Sequence, residues 1–320
     1  MDIEGIAMTE RLTGVVTPLL TPYENNYSIA ESLYLEHAAY CLDGGAHYLS
    51  PFGTTGEAVS NTIGERMAML ERLVASGTVA PKQLMPGTGL CNLEDTITLT
   101  HHAAEIGCAA AMVLPPFFYP PNDEGLYRYY SLLIETLGTK VPKIILYNIP
   151  QNTGVPISPA LAARLNEAFP NVVIAYKDSS GDWDNTAAVI GGAPGISVFP
   201  ASETLLSRAM ALGAGGCISA SCNSNIMAVR RLYEALRVGD WDEAKKLQPR
   251  LETHRVSVQN AGLISGLKSL KAYQSGDRRW LNLRPPYQTA DPALGSLLAK
   301  TISQTNARVI DCHSLIRERM

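Results

Sequence analysis

Lys143-Ile144-Ile145-Leu146-Tyr147-Asn148, followed at 172–177 by Val172-Val173-Ile174-Ala175-Tyr176-Lys177, decides the reading of the fold. Both are short apolar runs rich in β-branched residues, and each carries at its end or next to it a side chain capable of proton or carbonyl chemistry, Tyr147 in the first and Lys177 in the second. Six further runs of the same kind flank them: GVVTPLL at 14–20, AHYLSPF at 46–52, QLMPGT at 83–88, AAMVLPP at 110–116, ISVFPA at 196–201 and GCISAS at 216–221. They recur roughly every 25 to 35 residues, the length of one βα unit. Segments of helical spacing lie between them, such as ESLYLEHAAYCLDGG and LEDTITLTHHAAEIGC, and end in glycine or at a glycine-containing turn. Eight alternating units imply a parallel sheet with crossover helices, and eight strands close into a barrel. The expected fold class is therefore α/β, a (β/α)8 TIM barrel, with an open doubly wound sheet as the alternative.

After residue 222 the pattern turns wholly helical, in IMAVRRLYEALRVG, WDEAKKLQPRLETHRVSV and LISGLKSLKAY. The division expected is a barrel domain over 1–222 and a C-terminal helical extension over 223–320. No Gly-, Ser- or Pro-rich linker separates them, so the extension is expected to pack on the barrel.

At 320 residues, with 46% apolar and 18% charged side chains, the chain has a globular balance and enough apolar surface for a large core. A net charge of −4 and a pI near 5.9 give no reason to expect nucleic acid or an anionic membrane as partner. The opening MDIEGIAMTERL carries acidic residues where a signal peptide needs positive charge, so a cytoplasmic protein is expected. Six cysteines, at 41, 91, 108, 217, 222 and 312, form no Cys-x-x-Cys pair and read as reduced structural thiols. Cys217 and Cys222 lie near a strand end, where a catalytic thiol is the alternative. His101 and His102 sit in a helical segment without metal-ligand partners and read as packing or surface residues.

In a barrel the chemistry collects where strands run into the βα loops. Lys177 follows the apolar run VVIAY, so its amine starts from a buried strand. Desolvation disfavours an ammonium and leaves a neutral nucleophile for a carbonyl carbon. The alternative is a lysine that snorkels to the rim or pairs with Asp178. Tyr147 ends the preceding strand, within reach of an adduct on that lysine, where a phenol can give and take a proton. Gly53-Thr54-Thr55-Gly56 offers two hydroxyls and several N–H groups in a tight turn suited to a small carboxylate, while Glu57 is expected to cap or brace the helix after it. Gly87-Thr88-Gly89 either shapes the mouth or serves close backbone packing.

With these residues in view, the chain resembles the family of N-acetylneuraminate lyase and dihydrodipicolinate synthase, Schiff-base aldolases on a (β/α)8 barrel. Three blocks carry the resemblance: Gly-Thr-Thr-Gly-Glu at 53–57, Tyr-Asn-Ile-Pro at 147–150 with Thr153-Gly154 after it, and Lys-Asp-Ser-Ser-Gly-Asp at 177–182. It runs from about Gly14 to Arg284-Pro285. The resemblance implies Lys177 as the imine-forming residue and Tyr147 as the proton shuttle. It places Gly53, Thr54 and Thr55 at the carboxylate of a pyruvate-like substrate, with the main chain at Ile218 lining the same end. No metal or organic cofactor is then needed, and a homotetramer is expected.

Two departures bear on the substrate. Synthases carry an arginine after the Tyr-Asn-x-Pro block, gripping the second substrate's carboxylate, whereas Asn152 stands here and cannot supply a bidentate charged contact. A relay tyrosine that synthases take from a neighbouring subunit falls near Phe118, with Tyr119 adjacent. The loops lean instead toward members that reversibly cleave a 4-hydroxy-2-oxo acid or a 2-keto-3-deoxy sugar acid to pyruvate and an aldehyde. Ser202 and Glu203 either read the substrate's variable end or form a helix N-cap and first-turn acid. Other readings are a dehydratase of a 2-keto-3-deoxy acid, 4-hydroxy-tetrahydrodipicolinate synthase, and a non-catalytic 2-oxo acid sensor.

Overall fold

A computed structural model describes residues 11–317, with side chains through 304. The opening residues 1–10, the last three residues and the Cys312 side chain lie outside the described part. Strand and helix alternate as β1 (Gly14–Thr17), α1 (Glu31–Asp43), β2 (Tyr48–Leu49), α2 (Ile63–Ala75), the 83–88 segment, α3 (Leu93–Ile106), β3 (Ala111–Val113) and α4 (Asp123–Leu137). They continue as β4 (Ile144–Asn148), α5 (Pro150–Thr153), α6 (Pro159–Ala168), β5 (Val173–Asp178), α7 (Trp183–Gly192), β6 (Ser197–Pro200), α8 (Leu206–Ala211), β7 (Gly216–Ile218) and α9 (Cys222–Arg237).

All ladders are parallel, in the orders β2-β1-β7 and β3-β4-β5-β6. Residues 83–88 join β2 to β3 through single bridges, Leu49 with Leu84 and Gly87 with Met112. The Gly215 N–H donates to the Val198 carbonyl at 2.9 Å and joins β6 to β7. The ring thus closes with eight positions, and the barrel expected from the spacing is the fold observed.

The third run is a correction in detail, because it forms isolated bridges and no continuous strand. Pro86 removes a ladder donor there, and Gly87 contributes no side chain to pack. A Cβ on Gly87 would stand 2.3 Å from the Phe52 carbonyl oxygen, and one on Gly89 would stand 2.5 Å from the Leu114 nitrogen. Close backbone approach therefore explains these glycines.

Strand parity sorts the side chains. Ile144, Leu146 and Tyr176 face the helices, whereas Ile145, Tyr147 and Ala175 share the barrel interior with Val16, Met85, Met112, Phe199 and Ile218. Lys177 lies two residues beyond Ala175 and so takes the inward direction. Side-chain caps fix where helices begin: Thr62 and Glu65 form a reciprocal capping box on α2, and Asn92, Asn122 and Asp182 cap α3, α4 and α7.

The sequence division at 222/223 falls at the first residues of α9, whose Ile226, Val229 and Leu232 share one core cluster with Val15 of β1 and Tyr34 of α1. Beyond it come α10 (Trp241–Asn260), α11 (Leu263–Ser275) and α12 (Pro292–Arg317). Val258, Leu267, Leu270 and Trp280 pack with Leu20 and Ala220, which belong to the segments leaving β1 and β7. Among the described residues no helix is long and apolar enough to cross a membrane.

Candidate active site

The loops at the carboxyl ends of the strands surround a cavity of about 770 Å³, within the range of small-ligand sites. Thr54, Thr55, Tyr147, Asn152, Lys177, Ser202 and Ile218 all line it. Sequence positions far apart in the chain are thereby brought to one mouth.

Lys177 stands on β5 paired in register with Tyr147 on β4. The residue is 3% exposed, and its Nζ sits over the Tyr147 ring, 3.9 Å from its centre. Burial holds this amine below its ordinary value of 10.5; Tyr147 opposes the shift and the positive charge of Arg255 adds to it. Among the described residues no carboxylate lies within ion-pair distance of it. The Tyr147 hydroxyl is in turn hydrogen-bonded to Thr54 Oγ1 at 3.0 Å. A primary amine, a phenol and a threonine hydroxyl thus form one connected group at the cavity floor.

Residues 54–56 form a 3-10 turn. The Gly53 carbonyl accepts from the Gly56 and Ala58 N–H groups, at 3.0 and 3.3 Å, which leaves the Thr54 and Thr55 N–H groups without partners among the described residues. Such paired, unengaged donors beside two hydroxyls suit an anion. Gly53 itself is not among the lining residues, so it shapes the turn from beneath.

Two expectations are corrected here. Glu57 stands at the N-cap position of the short 3-10 turn at 58–60, but its side chain caps nothing there: it adopts a left-handed backbone at φ +53°, is buried, and pairs with Lys268 of α11. It also accepts the Arg284 N–H at 3.1 Å. Glu203 does not line the cavity. It is fully buried, with Oε2 accepting from the Ser219 hydroxyl. Ser202 does line it, and caps the short turn at 203–205 through the Thr204 N–H.

Cys217 and Cys222 are fully buried, with thiols pushed up by desolvation, which removes the catalytic-thiol alternative. His102 bonds Glu71 at 2.8 Å and His101 faces Glu105 on the same helix, away from the mouth. Phe118 and Tyr119 are both well exposed on the loop after β3, their rings edge to face at 5.2 Å, and neither lines the cavity.

Sequence reasoning missed the contribution of the C-terminal helices. Arg255 and Gln259 of α10, with Leu263 and Ile264 at the start of α11, form one side of the mouth. No local motif marks them, because their place depends on how α10 and α11 fold back over β6 and β7.

The sequence model of the dihydrodipicolinate synthetase family matches residues 11–305. An uncharacterised DapA-like lyase of Chloroflexus aurantiacus is 31% identical over 264 residues, covering 82% of this chain and 87% of its own. A 4-hydroxy-tetrahydrodipicolinate synthase of Thermus thermophilus is 36% identical over 237 residues, covering 73% of this chain and 77% of its own. Among solved structures, dihydrodipicolinate synthase from Agrobacterium tumefaciens superposes with a TM-score of 0.84 at 28% identity, over 91% of this chain and 99% of its own. The chain therefore belongs to the dihydrodipicolinate synthetase family, and is a lyase of the class that works through a lysine Schiff base.

Proposed function

We propose that this enzyme reversibly cleaves a 4-hydroxy-2-oxo acid or 2-keto-3-deoxy sugar acid to pyruvate and an aldehyde, with Lys177 as the imine-forming residue. The observation that carries the reading is Lys177 itself, a buried amine with no ion pair among the described residues, at a cavity floor beside a phenol. A charged amine there is disfavoured by desolvation, so the nucleophilic neutral form is accessible.

Neutral Lys177 adds to the C2 carbonyl, and protonation of the carbinolamine oxygen through Tyr147 lets water leave as the iminium forms. The C3–C4 bond then breaks: its electron pair moves into the C2–C3 bond of the resulting enamine, and the C4 hydroxyl loses its proton to Tyr147 as the aldehyde forms. Protonation of the enamine at C3 and addition of water to the imine carbon release pyruvate and regenerate the amine. Thr54, hydrogen-bonded to the Tyr147 hydroxyl, orients the phenol, and the Thr54-Thr55 turn receives the C1 carboxylate. Asn152 and Ser202, which line the same cavity, are our candidates for meeting the variable end. We further propose a homotetramer as the working assembly.

Borohydride reduction with pyruvate, followed by peptide mass spectrometry, is expected to place one adduct on Lys177. A panel of 4-hydroxy-2-oxo acids and 2-keto-3-deoxy acids, scored for pyruvate release with Lys177→Ala as blank, then separates cleavage from dehydration, which yields a deoxygenated 2-oxo acid and no pyruvate. Trapping without turnover would mean a sensor. The similarity to the Thermus thermophilus synthase supports a second reading, condensation of pyruvate with aspartate semialdehyde, which belongs in the same assay.

A further inference from the structure

Arg255 is the one other cation facing the mouth besides Lys177 among the described residues lining it. It reaches over the ends of β6 and β7 from α10, half-buried, with Nη1 at 3.4 Å from both the Ala201 carbonyl and the Ser219 hydroxyl. Nε donates to Gln259 Oε1 at 3.1 Å. Both Nη1 contacts are long for hydrogen bonds, and Nη2 has no partner among the described residues. The guanidinium also has no carboxylate within ion-pair distance there. Glu203, the acid on that side, is sealed beneath the floor and held by Ser219.

The remaining acid at the mouth is Asp178, and it is already engaged. Its Oδ1 accepts from Asn148 Nδ2 and the Ser180 N–H, both at 3.0 Å, and its Oδ2 from Asn185 Nδ2 and Thr186 Oγ1, both at 2.8 Å. On its β6–β7 side the mouth therefore carries a guanidinium with no direct carboxylate partner among the described residues, the nearest acid, Glu203, lying beyond the Ser219 hydroxyl. The unengaged N–H groups of Thr54 and Thr55 stand at the end of β2, elsewhere on the ring, with Lys177 on β5. A ligand joined to Lys177 through C2 with its C1 carboxylate at that turn leaves its other end within the same cavity, where α10 supplies the cation.

We propose that Arg255 reads the far end of the substrate, and that this enzyme takes a 4-hydroxy-2-oxo acid ending in a second carboxylate. The assignment rests on the Schiff-base reading of Lys177 and narrows its substrate class. A planar guanidinium with a free terminal nitrogen forms a charge-assisted contact to a carboxylate that a neutral sugar chain cannot match. One unit charge matches a carboxylate better than a phosphate dianion, since among the described residues lining the mouth the one other cation is Lys177, which is taken up in the imine. Arg255 comes from a different element than position 152, so the mouth meets an anionic end from α10 although Asn152 offers no charge.

The test runs the reaction toward condensation, with pyruvate and aldehydes matched in size: glyoxylate against acetaldehyde, succinic semialdehyde against butanal, and glyceraldehyde 3-phosphate against glyceraldehyde. The measured quantity is the ratio of kcat/KM for the charged aldehyde over its neutral partner, in wild type, Arg255→Lys and Arg255→Gln. Pyruvate trapping on Lys177 is followed in parallel in all three proteins. A ratio of at least about tenfold for a carboxylated aldehyde is expected in wild type, reduced in R255K and close to one in R255Q, the ratio being read within each protein so that any change in the reactivity of Lys177 cancels. Trapping with no carboxylate preference, a preference that survives R255Q, or a preference for the phosphorylated aldehyde alone would each overturn the role of Arg255 and leave the Schiff-base reading standing. Absence of a pyruvate adduct on Lys177 in wild type would overturn the parent reading.

Discussion

Lys177 and Asp178, neighbours on β5, do not pair. Successive strand residues point to opposite faces, so the amine enters the barrel mouth while the carboxylate is held by Asn148, Ser180, Asn185 and Thr186. The acid that could have neutralised the lysine instead ties the ends of β4 and β5 to the start of α7. The lysine is left buried without a counter-charge among the described residues, the condition that disfavours its protonated form.

This arrangement gives a stability prediction with a definite sign. Burial places the folded-state pKa of Lys177 below its ordinary 10.5, so between those two values the unfolded chain binds the proton and the folded chain does not. Stability rises with pH across that window, and the penalty of the lysine is fully present below it. Lys177→Met is therefore expected to melt above wild type at pH 7, with the gap closing as pH approaches 10.5, while pyruvate trapping is lost. Melting curves across that pH range check it; a variant that melts lower at every pH would contradict the burial argument.

The phenol is expected to matter more for turnover than for binding. Tyr147→Phe keeps the ring beneath the lysine and removes the hydroxyl, so kcat should fall by about 10²- to 10⁴-fold with little change in pyruvate KM. Thr54→Val removes the hydroxyl's partner at 3.0 Å, and a hydrogen bond of about 0.5–1.5 kcal/mol corresponds to roughly a two- to tenfold loss. Single-turnover rates for imine formation, compared with steady-state kcat, separate the two effects.

Thiol chemistry gives an independent check. Burial raises the Cys41 and Cys108 thiols to about 12 and lifts Cys217 and Cys222 as well, while Cys91 is exposed. Alkylation of the native protein at neutral pH is expected to modify Cys91 and spare these four, with pyruvate trapping unaffected. Peptide mapping of the modified protein reads the outcome.

What was legible in the sequence was what local pattern controls. The runs containing Tyr147 and Lys177 showed the strands and the residues at their ends; the inward direction of those two side chains follows only from the interior face that Ile145 and Ala175 define. Pro86 was visible as well, yet its effect on the 83–88 run depends on how closely Phe52 and Leu114 approach the backbone, which no local pattern records. Ser202-Glu203 has the spacing of a capping turn and of a loop site alike; only the packing of β7 buries the acid. Arg255 reads as one polar position on an amphipathic helix, and its place at the mouth comes from how α10 and α11 return over the strand ends. The same holds for Glu57, whose partner Lys268 lies far along the chain.

That last pair predicts how the C-terminal helices reach the chemistry. Glu57 ends the turn that carries Thr54 and Thr55, holds a left-handed backbone unusual for a residue with a side chain, and is fixed there by Lys268 and the Arg284 N–H. Lys268→Met would leave a carboxylate buried without its charge partner, a change that costs about 3–5 kcal/mol. Replacing both, as Glu57→Leu with Lys268→Met, removes the unpaired charge and is expected to recover much of that stability. It does not restore the restraint on the turn, so pyruvate KM should stay raised in the double variant while kcat at saturation changes less. Recovery of KM together with stability would mean that the pair only holds α11 in place and does not position the carboxylate-binding turn.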